Sequence, residues 1–517
     1  MSANAPVKRL WFPLGVILLF SAFVAWTYVT ENTMRVAFLF MAVVLGGLIV
    51  GLWWGFGSGA FRWKSLVGGI LGLVALGFLG RATLRFDGSA DGATPLKFVW
   101  KWTPTAEEGL GVPEVAPSSP DSFGLVAALE GAAPFLGFLG EQRDGLVPDI
   151  GLDPDWEASP PEEMWRIRVG VGWSSFAVAQ NRAVTQEQRG EKELVTCYDL
   201  ASGRFLWAHE DETRFYEAMG GPGPRATPTI SPEDGTVFAV GASGILNALD
   251  LGTGQLKWTA TVLADETKNI EWGVSSSPLL AGDLVITAAG TAKEGETSPV
   301  VFAYDQETGE ERWRYGSGTA SYSSPQLITL NGQAQVVQVL AGAVVGLDPE
   351  TGSEIWRFPW PGNSPKAAQP VGVSDNELLL TTSYGVTSHL LKIEGSQVEP
   401  IWSIRQMKTK FSSAIRIGDY AYGLDEGKLI CMEIASGKRI WKGDRFGYGQ
   451  NLLVGEWLLI QAEQGDVVLT RPVPEEHEEV ARISPLSTKT WNAPTVAGRY
   501  LLVRNDREAV CLKLPVK

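Results

Sequence analysis

The chain has 517 residues, 59 glycines, 20 tryptophans and a net charge of −15. That length exceeds one ordinary core of roughly 100–200 residues unless the core is built from repeats, and an acidic body argues against nucleic acid or an anionic lipid surface as its main partner. The charge is segregated: residues 1–85 carry Lys8, Arg9, Arg35, Arg62, Lys64, Arg81 and Arg85 against Glu31 alone, a net +6, which leaves −21 on the rest. The cysteines Cys197, Cys431 and Cys511 are too few for a disulfide framework and lack zinc spacing. The histidines His209, His389 and His477 are far apart, so no metal ligand is assigned.

In chain order, residues 1–85 read as a transmembrane region of about three helices, at 10–29, 36–54 and a shorter, Gly-rich 66–80. A span takes roughly 20 apolar residues. One cleaved signal peptide would supply one apolar run, not three, although the third run also suits a re-entrant or interfacial segment. Basic residues collect inside, and three crossings with Lys8 and Arg9 inside leave the remainder outside the cytoplasmic membrane. Two crossings would reverse that. Gly47, Gly51, Gly55 and Gly59 recur every four residues and form a smooth ridge, for packing among these helices or for self-association. Residues 86–160 read as a polar linker with a small docking segment: Pro, Gly and Ser are frequent, Trp100 and Trp102 mark a small ordered piece, and Phe135–Leu139 is apolar enough to dock on the C-terminal domain.

Residues 161–517 repeat one template. Asp199, Asp250, Asp305, Asp348 and Glu433 are each followed four residues later by Gly and eight residues later by Trp (Trp207, Trp258, Trp313, Trp356, Trp441). This describes a hairpin whose Asp and Ser/Thr side chains turn the backbone, whose Gly supplies positive φ, and whose Trp returns to bury a large ring. Lys392, Arg471 and Lys513 mark three degenerate copies. Eight copies at a mean step of about 45 residues suit an eight-bladed, four-stranded all-β propeller. The last copy lacks an outer strand, and Met164–Ile167 stands before the first as an orphan carrying Trp165, so the two ends are expected to share one blade and leave no open edge. The cysteines all lie two residues before the acid position, where Ala248, Ala303 and Gly346 stand elsewhere, and read as small core residues.

Together with the Ser276-Ser277-Pro278 and Ser323-Ser324-Pro325 strand openings, this template resembles the pyrroloquinoline-quinone-like repeat. The resemblance covers roughly residues 160–517 and implies the fold more than a function. Its enzyme branch, the quinoprotein alcohol dehydrogenases, implies pyrroloquinoline quinone (PQQ) with calcium, a disulfide between adjacent cysteines and a catalytic Asp. No two cysteines here are adjacent, no catalytic Asp can be placed, and no catalytic residue or cofactor is assigned. Its scaffold branch, the BamB-type lipoproteins, implies a lipidated Cys, and no Cys precedes Cys197.

Aligning the blades on Ala177, Pro228, Pro278, Pro325, Pro370, Ala414, Leu452 and Pro494, where inner strands should begin, stacks the preceding residues around one channel mouth. Arg225, Tyr322, Phe411, Gln450, Trp491 and Asn492 then form a candidate binding ring for a planar or polar ligand or a peptide; such side chains also serve to satisfy strand ends. Arg189 and Arg214 read as loop charges. The expectation is a non-catalytic scaffold in the cell envelope, multi-pass in the cytoplasmic membrane with its propeller on the outer side, binding envelope proteins or peptides. A quinone-dependent dehydrogenase with a divergent site is the alternative.

Overall fold

The computed structural model describes residues 11–29, 39, 41–49, 63–89, 96–111, 129–263, 267–292, 298–316, 318–362 and 365–517. It divides into two units, residues 1–105 with 218–221, and residues 106–217 with 222–517.

In the first unit, α1 (Trp11–Val29), α2 (41–49) and α3 (Trp63–Thr83) precede a hairpin of β1 (Leu84–Ser89) and β2 (Leu96–Trp100), paired antiparallel from Leu84↔Trp100 to Ser89↔Leu96 with a bulge after Phe86. Among the described residues no helix is long and apolar enough to cross a membrane. The expected multi-pass region is therefore not part of the observed architecture. Most of the 36–54 run beyond α2, and Gly51, Gly55 and Gly59 of the ridge, lie outside the described residues.

The second unit is the propeller. Eight blades of four antiparallel strands follow one another, the sheet of blade 7 gaining a fifth, parallel strand, from blade 1 (Ala177–Ala179, Arg182–Arg189, Lys192–Asp199, Phe205–Asp211) to blade 8. Blade 8 takes three strands from the C-terminus, Thr495–Ala497, Tyr500–Arg504 and Glu508–Lys513. Its outer strand is β4 (Glu162–Arg168) from the other end of the domain, with Cys511 opposite Trp165. The orphan strand thus closes the ring, as the repeat predicts.

The template's Trp locks each blade to the next. Trp165 Nε1 donates to Leu200 O at 2.8 Å, Trp207 to Leu251 O at 2.9 Å, Trp258 to Gln306 O at 2.9 Å, Trp313 to Pro349 O at 3.0 Å, Trp402 to Ile434 O at 2.9 Å and Trp441 to Val473 O at 3.1 Å. The ring also covers the hairpin Gly of the next blade. At Gly254 (φ +72°) a Cβ would lie 2.5 Å from the Trp207 ring, so this Gly is required by the turn and by the ring above it. Within its own blade the Trp faces a small residue in blades 1 to 4 and 6, Cys197↔Trp207, Ala248↔Trp258, Ala303↔Trp313, Gly346↔Trp356 and Cys431↔Trp441, whereas Trp402 faces Leu390. This accounts for the three buried free thiols. The lock is missing at two blade junctions. Trp356, facing the Lys392 blade, donates instead to Gln335 Oε1 of its own blade at 2.6 Å, and the outer strand of blade 7 (Glu478–Ile483) has no Trp.

Candidate binding site at the channel mouth

Inner strands begin at or within two residues of the aligned positions, for example Thr229, Leu279, Gln326, Val371 and Ile415. The residues just before them meet around one opening of the channel. One residue ahead, or two in blade 1, a chain of hydrogen bonds stitches blades 1 to 6: Ser175 N to Thr227 Oγ1 (3.1 Å), Thr227 N to Ser277 Oγ (3.0 Å), Ser277 N to Ser324 Oγ (2.9 Å), Ser324 N to Gln369 Oε1 (2.8 Å) and Gln369 N to Ser413 Oγ (3.0 Å). Two of the expected ligand residues carry this seam through the remaining blades. Gln450 Nε2 donates to Phe411 O (3.0 Å) and Trp491 O (3.2 Å), and Asn492 Nδ2 to Ser174 O (2.7 Å) and Gly172 O (3.3 Å). Both are buried, and both join blades.

Above this seam lies a band of aromatic rings in contact. Trp173 lies 4.8 Å from Trp491, Trp491 5.2 Å from Phe411 and Phe411 6.0 Å from Tyr448; Trp272 lies 5.0 Å from Tyr322 and 6.4 Å from Tyr384. The Lys410 ammonium joins the two arcs, 3.7 Å from the Tyr448 ring and 5.5 Å from Tyr384, and Lys489 sits over Trp491 at 4.1 Å and Trp173 at 5.0 Å. Arg225 stacks on Phe215 at 4.6 Å. The structure therefore brings Tyr322, Phe411 and Trp491 into one band, sets Arg225 on Phe215, and places Gln450 and Asn492 beneath as struts. Sequence reasoning missed Trp173, Trp272, Tyr384, Tyr448 and Lys410. Trp173, Lys410 and Tyr448 each stand four residues before an aligned position, one register beyond the expected ring.

Buried carboxylates hold this end. Glu463 accepts from Trp491 Nε1 at 2.8 Å and Tyr448 N at 3.2 Å, fixing two rings. Glu193 is 3 % exposed, and burial pushes its carboxyl up to about 7 against the opposing pull of Ser243 N and Arg225. Burial lowers Arg225 to about 10. Arg189 is not a solvated loop charge: it is 6 % exposed, pairs with Glu187 at 2.9 Å and donates to Tyr198 Oη at 3.1 Å. Arg214 binds Glu107 through both terminal nitrogens at 3.0 and 3.1 Å.

The opposite end of the channel is covered by residues 129–152. Phe135 bridges Val178 on blade 1, Leu136 O accepts from Ile230 N of blade 2 at 2.8 Å, and β3 (Leu146–Val147) adds in parallel to the inner strand of blade 7. Arg143 reaches up the axis. Its guanidinium donates to Ser277 O (2.8 Å), Pro325 O (3.0 Å), Thr229 Oγ1 (3.3 Å) and Pro278 O. It is 3 % exposed, makes no ion pair among the described residues, and is lowered to about 9 by burial. A cavity of about 210 Å³ remains beside it, lined by Leu136, Thr229, Ile230, Leu279 and Leu327.

Eight four-stranded blades, sealed by Trp-on-Gly locks and closed through both ends of the domain, define the protein as a propeller of the PQQ-like repeat class. The family described as outer membrane protein assembly factor BamB matches residues 155–293 and 191–443, and the chain belongs to that family. A BamB of Burkholderia pseudomallei is 23 % identical over 66 % of this chain and 85 % of its own length. A quinohemoprotein alcohol dehydrogenase of Pseudomonas putida is 27 % identical over 24 % of this chain, a match spanning only 17 % of the enzyme. The crystal structure of BamB from Moraxella catarrhalis superposes with a TM-score of 0.51 at 16 % identity, covering 68 % of this chain and all of that one, which speaks to the fold alone.

Among the described residues no three His, Cys, Asp or Glu side chains converge as a metal site. The side-chain nitrogens of Gln450 and Asn492 donate to backbone carbonyls, and the three thiols are buried inside blades 1, 6 and 8.

Proposed function

We propose that this protein is a non-catalytic scaffold of the cell envelope, attached to the cytoplasmic membrane through its N-terminal region, whose propeller holds a segment of a partner protein on the aromatic band at the open end of its channel. The observation that carries this reading is the band itself. Contiguous rings from Trp173 to Tyr448 and from Tyr384 to Tyr322 surround an opening whose polar groups are largely engaged with the protein. Such a surface offers stacking and burial, the energetic core of peptide recognition, rather than an activated nucleophile or base. The name of the Burkholderia relative, an outer membrane protein assembly factor, is consistent with partners in the envelope. Membrane attachment is supported by the apolar side chains that α1 and α3 leave exposed, including Leu18 (69 %), Leu19 (69 %), Leu71 (62 %) and Phe78 (70 %).

A photo-crosslinking residue at Trp491 in cells is expected to capture a discrete envelope protein that the same residue at exposed Glu157 does not capture. Equal or absent capture at both positions, together with a thermal shift on adding calcium and quinone, would replace the scaffold by the dehydrogenase alternative. A reporter fused after Lys517 should give active alkaline phosphatase and dark green fluorescent protein; the reverse would place the propeller in the cytoplasm.

A further inference from the structure

The β1–β2 hairpin follows α3 without a break and lies in the same unit. A two-stranded hairpin is at best marginal in water and needs a surface to cover it. This one has a T-shaped Phe86–Phe98 contact at 5.8 Å and a flat Trp100–Trp102 stack at 5.1 Å and 4°, the latter ending in Trp102 at 68 % exposure. Basic residues surround the stack. Arg81 closes α3, Arg85 donates to Thr103 O at 3.2 Å and lies 4.0 Å from Asp87, Lys97 pairs with the same Asp87 at 2.8 Å, and Lys101 stands between the two tryptophans in sequence. Arg81 and Lys101 are exposed and make no ion pair among the described residues. The same unit carries a net +6 by sequence, whereas the rest of the chain carries −21.

Indole rings and basic side chains just beyond the end of an apolar helix match the chemistry of a bilayer interface, where indoles sit at headgroup level and Lys or Arg meet anionic lipid. We propose that the β1–β2 hairpin is a headgroup-level lipid anchor, with Trp100 and Trp102 inserted among anionic phospholipid headgroups and Arg81, Arg85, Lys97 and Lys101 facing their phosphates. The occupant is a membrane surface rather than an acidic protein, because apolar side chains of α3 (Leu71, Val74, Phe78, Leu79) are exposed in the same unit and lead directly into the hairpin. The inference rests on the membrane attachment proposed above.

The test uses the full chain. Cys197, Cys431 and Cys511 are each 0 % exposed, so an environment-sensitive thiol dye reports selectively on Trp102→Cys, with Glu157→Cys as the control. On vesicles of phosphatidylglycerol and phosphatidylcholine at 3:7, the label at position 102 should be shielded from iodide about fivefold relative to the label at 157. The shielding should fall about threefold on pure phosphatidylcholine, or in Lys97→Gln/Lys101→Gln on the mixed vesicles. A chain that floats with the vesicles while its label at 102 is quenched like that at 157 overturns the anchor and leaves membrane attachment intact. A chain that does not float overturns both.

Discussion

The two ends of the propeller channel are built from the same eight inner strands, yet they are finished in opposite ways. The far end is filled by the chain's own residues 129–152, pinned by a buried cation that donates only to carbonyls and a hydroxyl. Among the described residues the near end is left uncovered and ringed by aromatic side chains, with Trp491 Nε1 held by Glu463 and Trp491 O by the blade-to-blade seam. A repeat supplies equivalent positions at both ends. The difference comes from what is placed on the loops at one end and from one segment threaded across the other. A channel plugged by covalently attached chain gives up exchange of ligand there, which is why the proposed partner segment is assigned to the aromatic end.

That comparison presumes one closed ring, and the largest expected effect tests closure. Trp165→Ala removes a buried ring and its bond to Leu200, and should cost about 3–5 kcal/mol. Hydrogen exchange should quicken in Ala509–Leu514 as well as around β4; protection retained in that C-terminal strand would break the shared blade. Next, Arg143→Ala removes the donor to Ser277 O, Pro325 O, Thr229 Oγ1 and Pro278 O, the last of which keeps its bond from Thr229 Oγ1, and should cost about 3 kcal/mol. Its signature should be confined to the plugged end, with faster exchange in residues 139–147 and an unchanged crosslink from Trp491. Loss of that crosslink would show that the two ends are not independent.

The smallest expected effect is pH-dependent and belongs to the open end. The Glu193 carboxyl is held near 7, above its unfolded value of 4.5, so the folded protein binds the extra proton. Its protonated form contributes stability below pH 4.5, and that contribution is lost as pH rises toward 7. Glu193→Gln, which mimics the protonated form, should therefore match the parent near pH 4.5 and exceed it by about 2 kcal/mol at pH 8, measured by denaturant unfolding at both pH values. A constant difference across that range would mean that Glu193 is ionised throughout.

Much of the propeller was legible because its physics is local and periodic. An Asp that turns the chain, a Gly with positive φ and a Trp eight residues on recur often enough to be counted. The degenerate copies at Lys392, Arg471 and Lys513 were found by spacing, and the orphan Trp165 strand by what the last copy lacked. The candidate ring was legible only where it shared that period, at Tyr322, Phe411 and Trp491. Trp272 stands six residues before its aligned position, and Tyr384 lies between the second and third strands of blade 5, so no common offset linked them to the others. Gln450 and Asn492 had the right register but the wrong role, because only the folded seam shows a backbone carbonyl within reach of each amide.

The sequence by itself determined the fold class, the number of blades, the closure and the small buried sites that the cysteines fill. Each follows from steric and hydrogen-bonding demands repeated within a few residues of one another. Only the tertiary structure decided which mouth is open, what plugs the other, that Arg189 is buried against Glu187 and Tyr198, and which rings touch. Those outcomes depend on contacts between residues such as Arg143 and Pro325, far apart in the chain and bound by no period, which only the closed propeller brings together.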